Sequence, residues 1–156
     1  GPNAFALPGG LIVMTDELVA LAGADPQLDA VLAHELGHQH HQHGLRFALQ
    51  AAGVSALVAT LTSDAASVSN LTATLPAVLV TAGYSREFET EADSYAYSRL
   101  RATGQSPALL AEALEKLRDW QRKEAGKETD DDDDAPGYLD SHPGLGERIV
   151  RARSQP

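Results

Sequence analysis

Five of the six histidines in this 156-residue chain fall between His34 and His43. Within that run His34-Glu35-Leu36-Gly37-His38 has the spacing H-E-x-x-H. On a helix, residues four apart share a face, so His34 and His38 can turn two imidazoles toward one metal ion. Glu35, beside the first ligand, can then reach a water on that ion, and zinc brings the pKa of such a water to about 7. The pattern predicts metal-assisted hydrolysis with Glu35 as general base. Two histidines leave the ion one protein ligand short. The metzincin continuation would need Gly at position 41 and His at position 44, whereas this chain has His41 and Gly44. A carboxylate from a second helix is the usual alternative, giving two histidines, one glutamate and an open water position.

The elements that must position these groups are well punctuated. Asp25 is a plausible N-cap, Pro26 suits the first helical turn, and Gly44 sits where a C′ glycine would end the H-E-x-x-H helix. Leu28, Val31, Leu32 and Leu36 recur along it at helical spacing. A second helix is predicted from about Ser85 to Thr103, and it offers Glu87, Glu89, Glu91 and Asp93. Glu89 and Asp93 share a face, Glu91 points roughly opposite, and Ala92 and Ala96 would let the two helices approach closely. Glu89 is therefore the expected third ligand. Asp93 is expected to accept from the other ring nitrogen of a ligand histidine and so set its tautomer. Glu87 and Glu91 read as a solvated face, and His40, His41 and His43 as a polar helix end near the C-terminal dipole.

Around this pair the chain predicts short extended runs at Ala4–Leu7 and Leu11–Met14 joined by Pro8-Gly9-Gly10. A short helix capped by Thr15 and Asp16 follows, then later helices from Ser106-Pro107 to near Gly126 and from Leu145 to Arg153. Between Arg46 and Arg86 the only charge is Asp64. That stretch is a poor bilayer span beyond Ala65. It reads as a buried helical hairpin, or as a flap whose residues 47–85 lie against a membrane surface or a further domain. Residues 123–137 end in five aspartates and read as a mobile acidic loop. The expected fold class is α+β, mostly helical, with a small N-terminal β-hairpin.

Composition narrows the function. The length suits one domain, and the Gly-Pro start without Met reads as a piece of a longer protein. The absence of cysteine excludes disulfides, thiolate metal sites and a cysteine nucleophile. Twelve Lys and Arg against twenty-two Asp and Glu, a net charge of −10, argue against a nucleic-acid partner. The aspartates Asp130 to Asp134 supply five of those ten charges, so the acidity says little about substrates.

With H-E-L-G-H, then S-R-E-F-E-T-E-A-D, then S-H-P-G-L-G-E-R-I, the chain resembles the CAAX prenyl protease and HtpX-like family of zinc metalloendopeptidases. The opening N-A-F-A-L-P-G-G-L-I-V-M-T-D-E-L is similar to the strand pair before that family's zinc helix. The resemblance implies a zincin-like (gluzincin) fold over 1–156 and one Zn2+ per chain, held by His34, His38 and Glu89. Glu35 would be the base and Asp93 the partner carboxylate. It also implies active-site roles for His142 and Arg148, both able to donate to a developing oxyanion. In some members that histidine also reaches the zinc, so His142 is either an oxyanion donor or a removable fourth ligand; on its residues alone it reads as a loop histidine. The implied substrate is an extended polypeptide paired with the Asn3–Leu7 strand edge, and the implied location is the bacterial cell envelope. The rival expectations are a latent metal-bound module gated by His142, chaperone-like or substrate-binding, and a closed structural metal site.

Overall fold

The computed structural model describes residues 1–23, 25–62, 84–125 and 138–156. Pro8, Gly9 and Gly10 separate two short apolar runs, and both glycines take positive φ (97° and 94°), where a side chain would be strained. The runs pair as an antiparallel hairpin of β1 (Ala4–Leu7) and β2 (Leu11–Met14), with Ala4 opposite Met14 and Leu7 opposite Leu11. Helix α1 (Asp16–Ala22) follows at once, because the Thr15 hydroxyl accepts from the Leu18 N–H and caps it. Among the described residues the rest is helical: α2 (Asp25–His40), α3 (His43–Thr62), α4 (Arg86–Ala102), α5 (Ala108–Ala125), the single turn α6 (Tyr138–Ser141) and α7 (Leu145–Arg153). This is the mostly helical α+β architecture expected.

Helix α2 occupies the centre. It packs chiefly on α4 and also touches β1, α1, α3 and α5. Leu18, Val31, Leu100, Leu110, Leu114 and Ile149 are among the side chains that close the core around it. Its buried face is not the leucine stripe expected from spacing. Ala30, Val31, Ala33, His34, Glu35, Gly37 and His38 are buried, while Leu32 is 38% exposed. The reason is the α4 contact. A Cβ on Gly37 would stand 2.8 Å from Ala92 Cα, and Ala92 and Ala96 are fully buried, so the smallest side chains set the crossing. The close approach expected from Ala92 and Ala96 is therefore present, with Gly37 as its other half.

Two boundaries differ from expectation. Helix α2 stops at His40, not at Gly44; Gln42 takes the left-handed φ of 55°, and the chain re-enters helix at His43. Gly44 lies inside α3, where its missing Cβ admits Pro8, whose Cγ and Cδ would be 3.3 Å from that atom. The acidic loop expected over 123–137 lies outside the described residues except at its start, where 123–125 finish α5 as helix.

The buried hairpin expected after Arg46 is corrected for its first arm. Leu49, Val54, Leu57 and Leu61 of α3 are 60–77% exposed, and its second arm lies outside the described residues. By length and composition alone, His43–Leu61 could cross a membrane.

Candidate metal centre

His34 and His38 leave α2 on one face, and their Nε2 atoms meet 3.0 Å apart. From α4, Glu89 brings Oε2 to 3.4 Å from His34 Nε2 and Oε1 to 3.3 Å from His38 Nε2. His142, between α6 and α7, places Nδ1 3.1 Å from Glu89 Oε1 and 3.4 Å from His34 Nε2. One donor atom from each of these four residues lies within 4.8 Å of the others, and all four side chains are essentially solvent-free. Ser85 makes the α4 contribution possible: its hydroxyl accepts from the Phe88 N–H, starting the helix one turn before Glu89.

A ring of charged groups holds the donors in place. His34 Nδ1 stands 2.9 Å from Asp93 Oδ1 in ion-pair contact, leaving Nε2 turned toward the other donors. Arg148 grips the same carboxylate, Nη2 on Oδ1 at 2.8 Å and Nε on Oδ2 at 3.0 Å. Its Nη1 stands 2.6 Å from Glu89 Oε2, in ion-pair contact but out of line for a hydrogen bond. The guanidinium thus faces carboxylates rather than an open space. Stacked rings complete the walls: Tyr138 on His142 and Tyr84 on His38, each pair with centroids 4.1 Å apart.

The electrostatics follow from this packing. Burial chiefly, with the Glu89 charge adding to it, raises Glu35 against the pull of His142, His34 and Arg148, as suits a base. Burial would also raise Glu89 and Asp93, yet the charges of His142 and Arg148 on Glu89, and of Arg148 on Asp93, hold both below their usual range. Burial and Arg148 push His34 down, but its bonds to Asp93 and Glu89 outweigh them and lift it to about 9. His38 is pushed well down, chiefly by burial.

These residues fit a divalent cation. Two buried imidazole Nε2 atoms converge 3.0 Å apart beside a carboxylate, an arrangement that needs either a proton or a cation among the three. Both Glu35 oxygens, Glu89 Oε2 and His142 Nε2 are buried without a hydrogen-bond partner, and such atoms are rare unless a ligand or water takes them. Two histidines and a glutamate are a zinc-type donor set.

Of the residues named from sequence, His34, Glu35, His38, Glu89, Asp93, His142 and Arg148 all lie in this one buried cluster. The structure corrects the expectation for His43 and Glu91. His43 is fully buried against His38, not part of a polar helix end, and Glu91, only 33% exposed, is tied to His43 and Arg46. The signal for His43 is faint because it lies five residues past His38, across the break at Gln42. Tyr84 and Tyr138 carried no spacing signal.

A mostly helical domain with a buried His-Glu cluster of this kind can hold a metal ion, and comparison with known proteins gives it a family. The model of peptidase family M48 matches residues 1–155, and the chain belongs to that family. It is 33% identical over 157 residues to metalloprotease LoiP of Escherichia coli, which covers 98% of this chain and 58% of that protein. It is 27% identical over 164 residues to the beta-barrel assembly-enhancing protease of Escherichia coli, covering 98% of this chain and 32% of that one. A shorter match, 35% identical over 96 residues, joins 59% of this chain to 27% of the mitochondrial metalloendopeptidase OMA1 of Schizosaccharomyces pombe. The chain thus spans about a third to just over half of the two Escherichia coli relatives.

Proposed function

We propose that this chain is the catalytic domain of a zinc-dependent metalloendopeptidase of the gluzincin type, within the CAAX prenyl protease and HtpX-like branch. The observation that carries the reading is the buried convergence of His34, His38 and Glu89 beside an unpartnered Glu35. His34, His38 and Glu89 would hold one zinc ion, which when bound supplies Lewis acidity toward the scissile carbonyl and the attacking water. Glu35 takes that water's proton and returns it to the leaving amine. Asp93 keeps His34 in its Nδ1–H tautomer. His142 supports the oxyanion through Nε2, which is unpartnered and 3.6 Å from Glu35 Oε1. Arg148 serves the same step by holding Asp93 and Glu89 in position.

The substrate is an extended polypeptide that pairs by its backbone with the outer edge of β1. The Ala6 carbonyl there meets only the Tyr84 hydroxyl among the described contacts, at 3.5 Å. Backbone pairing tolerates many sequences, which suits unfolded or misfolded proteins. The name of the beta-barrel assembly-enhancing relative, and the exposed apolar side of α3, favour a bacterial envelope location with α3 against a membrane or a further domain. The test is Glu35→Gln: zinc stays bound and casein cleavage falls by two or more orders of magnitude. Wild-type cleavage by that variant would refute the assignment.

One observation favours a second reading, a latent module. His142 Nδ1 stands within the donor set and the whole cluster is closed to solvent. His142→Ala separates the two: a gain of casein cleavage marks His142 as a gate, and a loss marks oxyanion support.

A further inference from the structure

The two histidines of α2 are backed at Nδ1 by different devices. His34 Nδ1 lies directly against Asp93 Oδ1 at 2.9 Å, and Arg148 closes on that carboxylate from behind. His38 Nδ1 instead lies 2.8 Å from His43 Nδ1, His43 Nε2 lies 2.8 Å from Glu91 Oε2, and Arg46 Nη1 lies 3.0 Å from that same oxygen. The pattern is the same, imidazole to carboxylate to guanidinium, with one imidazole inserted.

Proton counting orients this chain of bonds. Ionised Glu91 only accepts, so His43 Nε2 carries the N–H. His43 Nδ1 is then a lone pair, and across 2.8 Å it must face a proton on His38 Nδ1. That leaves the His38 Nε2 lone pair aimed at Glu89 and His34. The inserted ring is held firmly. His43 is fully buried and stacks on Phe88 with centroids 4.2 Å apart and planes within 5°, and Arg46 sits 4.4 Å over the Phe88 ring.

We propose that His43 and Glu91 form a hydrogen-bond relay that locks His38 in the tautomer able to bind metal through Nε2, making both of them positioning residues of the metal centre. The proposal rests on His38 being a ligand. A competing use of the same groups is a second cation on His41, His43 and Glu91, whose donors also lie within 4.8 Å of one another. Arg46 opposes it, since it already brings positive charge to the Glu91 oxygen such an ion would need.

The test is a chelator-competition measurement of zinc affinity and stoichiometry on the full chain, with variants that separate packing from hydrogen bonding. His43→Phe keeps the aromatic stack and loses the acceptor, whereas His43→Asn keeps an acceptor near the Nδ1 position and loses the stack. The relay predicts zinc binding weakened about 10–100-fold in His43→Phe. It predicts a smaller loss in His43→Asn, a loss in Glu91→Ala, and recovery in Glu91→Gln, whose amide oxygen still accepts. Wild-type affinity in His43→Phe overturns the relay, as does a second zinc equivalent that disappears in Glu91→Ala. Unchanged zinc binding in His38→Ala overturns both the relay and the metal-centre reading, so the two failures are distinct. Independently of any variant, 15N spectra of the ring nitrogens should show His43 as the Nε2–H tautomer; an Nδ1–H tautomer there overturns the relay.

Discussion

At the scale of single residues, the site is a charge balance solved without water. Glu89 and Asp93 are buried carboxylates below their usual pKa, and Arg148 is the buried cation facing both. Removing one partner of a buried ion pair typically costs about 3–5 kcal/mol, because the survivor keeps its desolvation penalty. We therefore expect Arg148→Met to lower metal-free stability by about 3–5 kcal/mol in urea titrations. Saturating zinc should restore part of that loss by returning positive charge to the cluster. A loss under 1 kcal/mol would mean that the carboxylates are neutral or solvated. Glu35 runs the other way, a buried carboxylate whose oxygens accept no hydrogen bond and which meets only His142 Nε2, at 3.6 Å, among the described ion-pair contacts. Glu35→Gln removes an ionisable group that burial disfavours, so the inactive variant should melt no lower than the parent without metal, by circular dichroism.

At the scale of elements, the site depends on how closely α2 and α4 cross. Gly37→Ala would force its Cβ to 2.8 Å from the Ala92 backbone, and backbone cannot step aside as a flexible side chain can. We expect a cost of about 1–3 kcal/mol by urea denaturation together with weaker zinc binding, since the ligands come from both helices. A weaker contact joins α5 to α7, where Arg153 grips Glu115 with Nε at 2.9 Å and Nη2 at 2.6 Å. The Arg153 hydrogen bond lowers Glu115, so its contribution exists above the ordinary glutamate pKa and fades as pH falls through the lowered value. Arg153→Gln should thus reduce the melting temperature slightly at pH 7, and by progressively less as pH falls below the ordinary glutamate pKa. How much was readable in advance divides along the same line. Local signals locate the hairpin at Pro8–Gly10, the cap at Thr15, the start of α4 near Ser85, and the helix over Leu145–Arg153. The end of α2, its buried face and the place of His43 depend on non-local contacts, Pro8 on Gly44 and Ala92 on Gly37, which no window of neighbouring residues contains.

At the scale of the whole molecule, the helix that carries the H-E-x-x-H motif is also the structural centre. Helix α2 carries His34, Glu35 and His38 and touches β1, α1, α3, α4 and α5, so the metal centre and the apolar core are built on one object. A cation that binds only the folded state adds about 2.7 kcal/mol of stability at 100 times its Kd. Zinc should accordingly raise the melting temperature in a concentration-dependent way, and a chelator should reverse the rise; a melting curve indifferent to zinc would remove the ion from the folded state. The central place of α2 also bears on the lifetime of the centre. Amides that open only with global unfolding are the last to exchange with solvent, and the backbone from Ala33 to His38 belongs among them. No peripheral fraying reaches such a helix, so ion release through the protein matrix is governed by whole-chain unfolding or by displacement of His142. Ageing of the isolated domain by the unfolding route would then show as an all-or-none loss of intact molecules, whereas displacement of His142 would leave folded molecules without the ion.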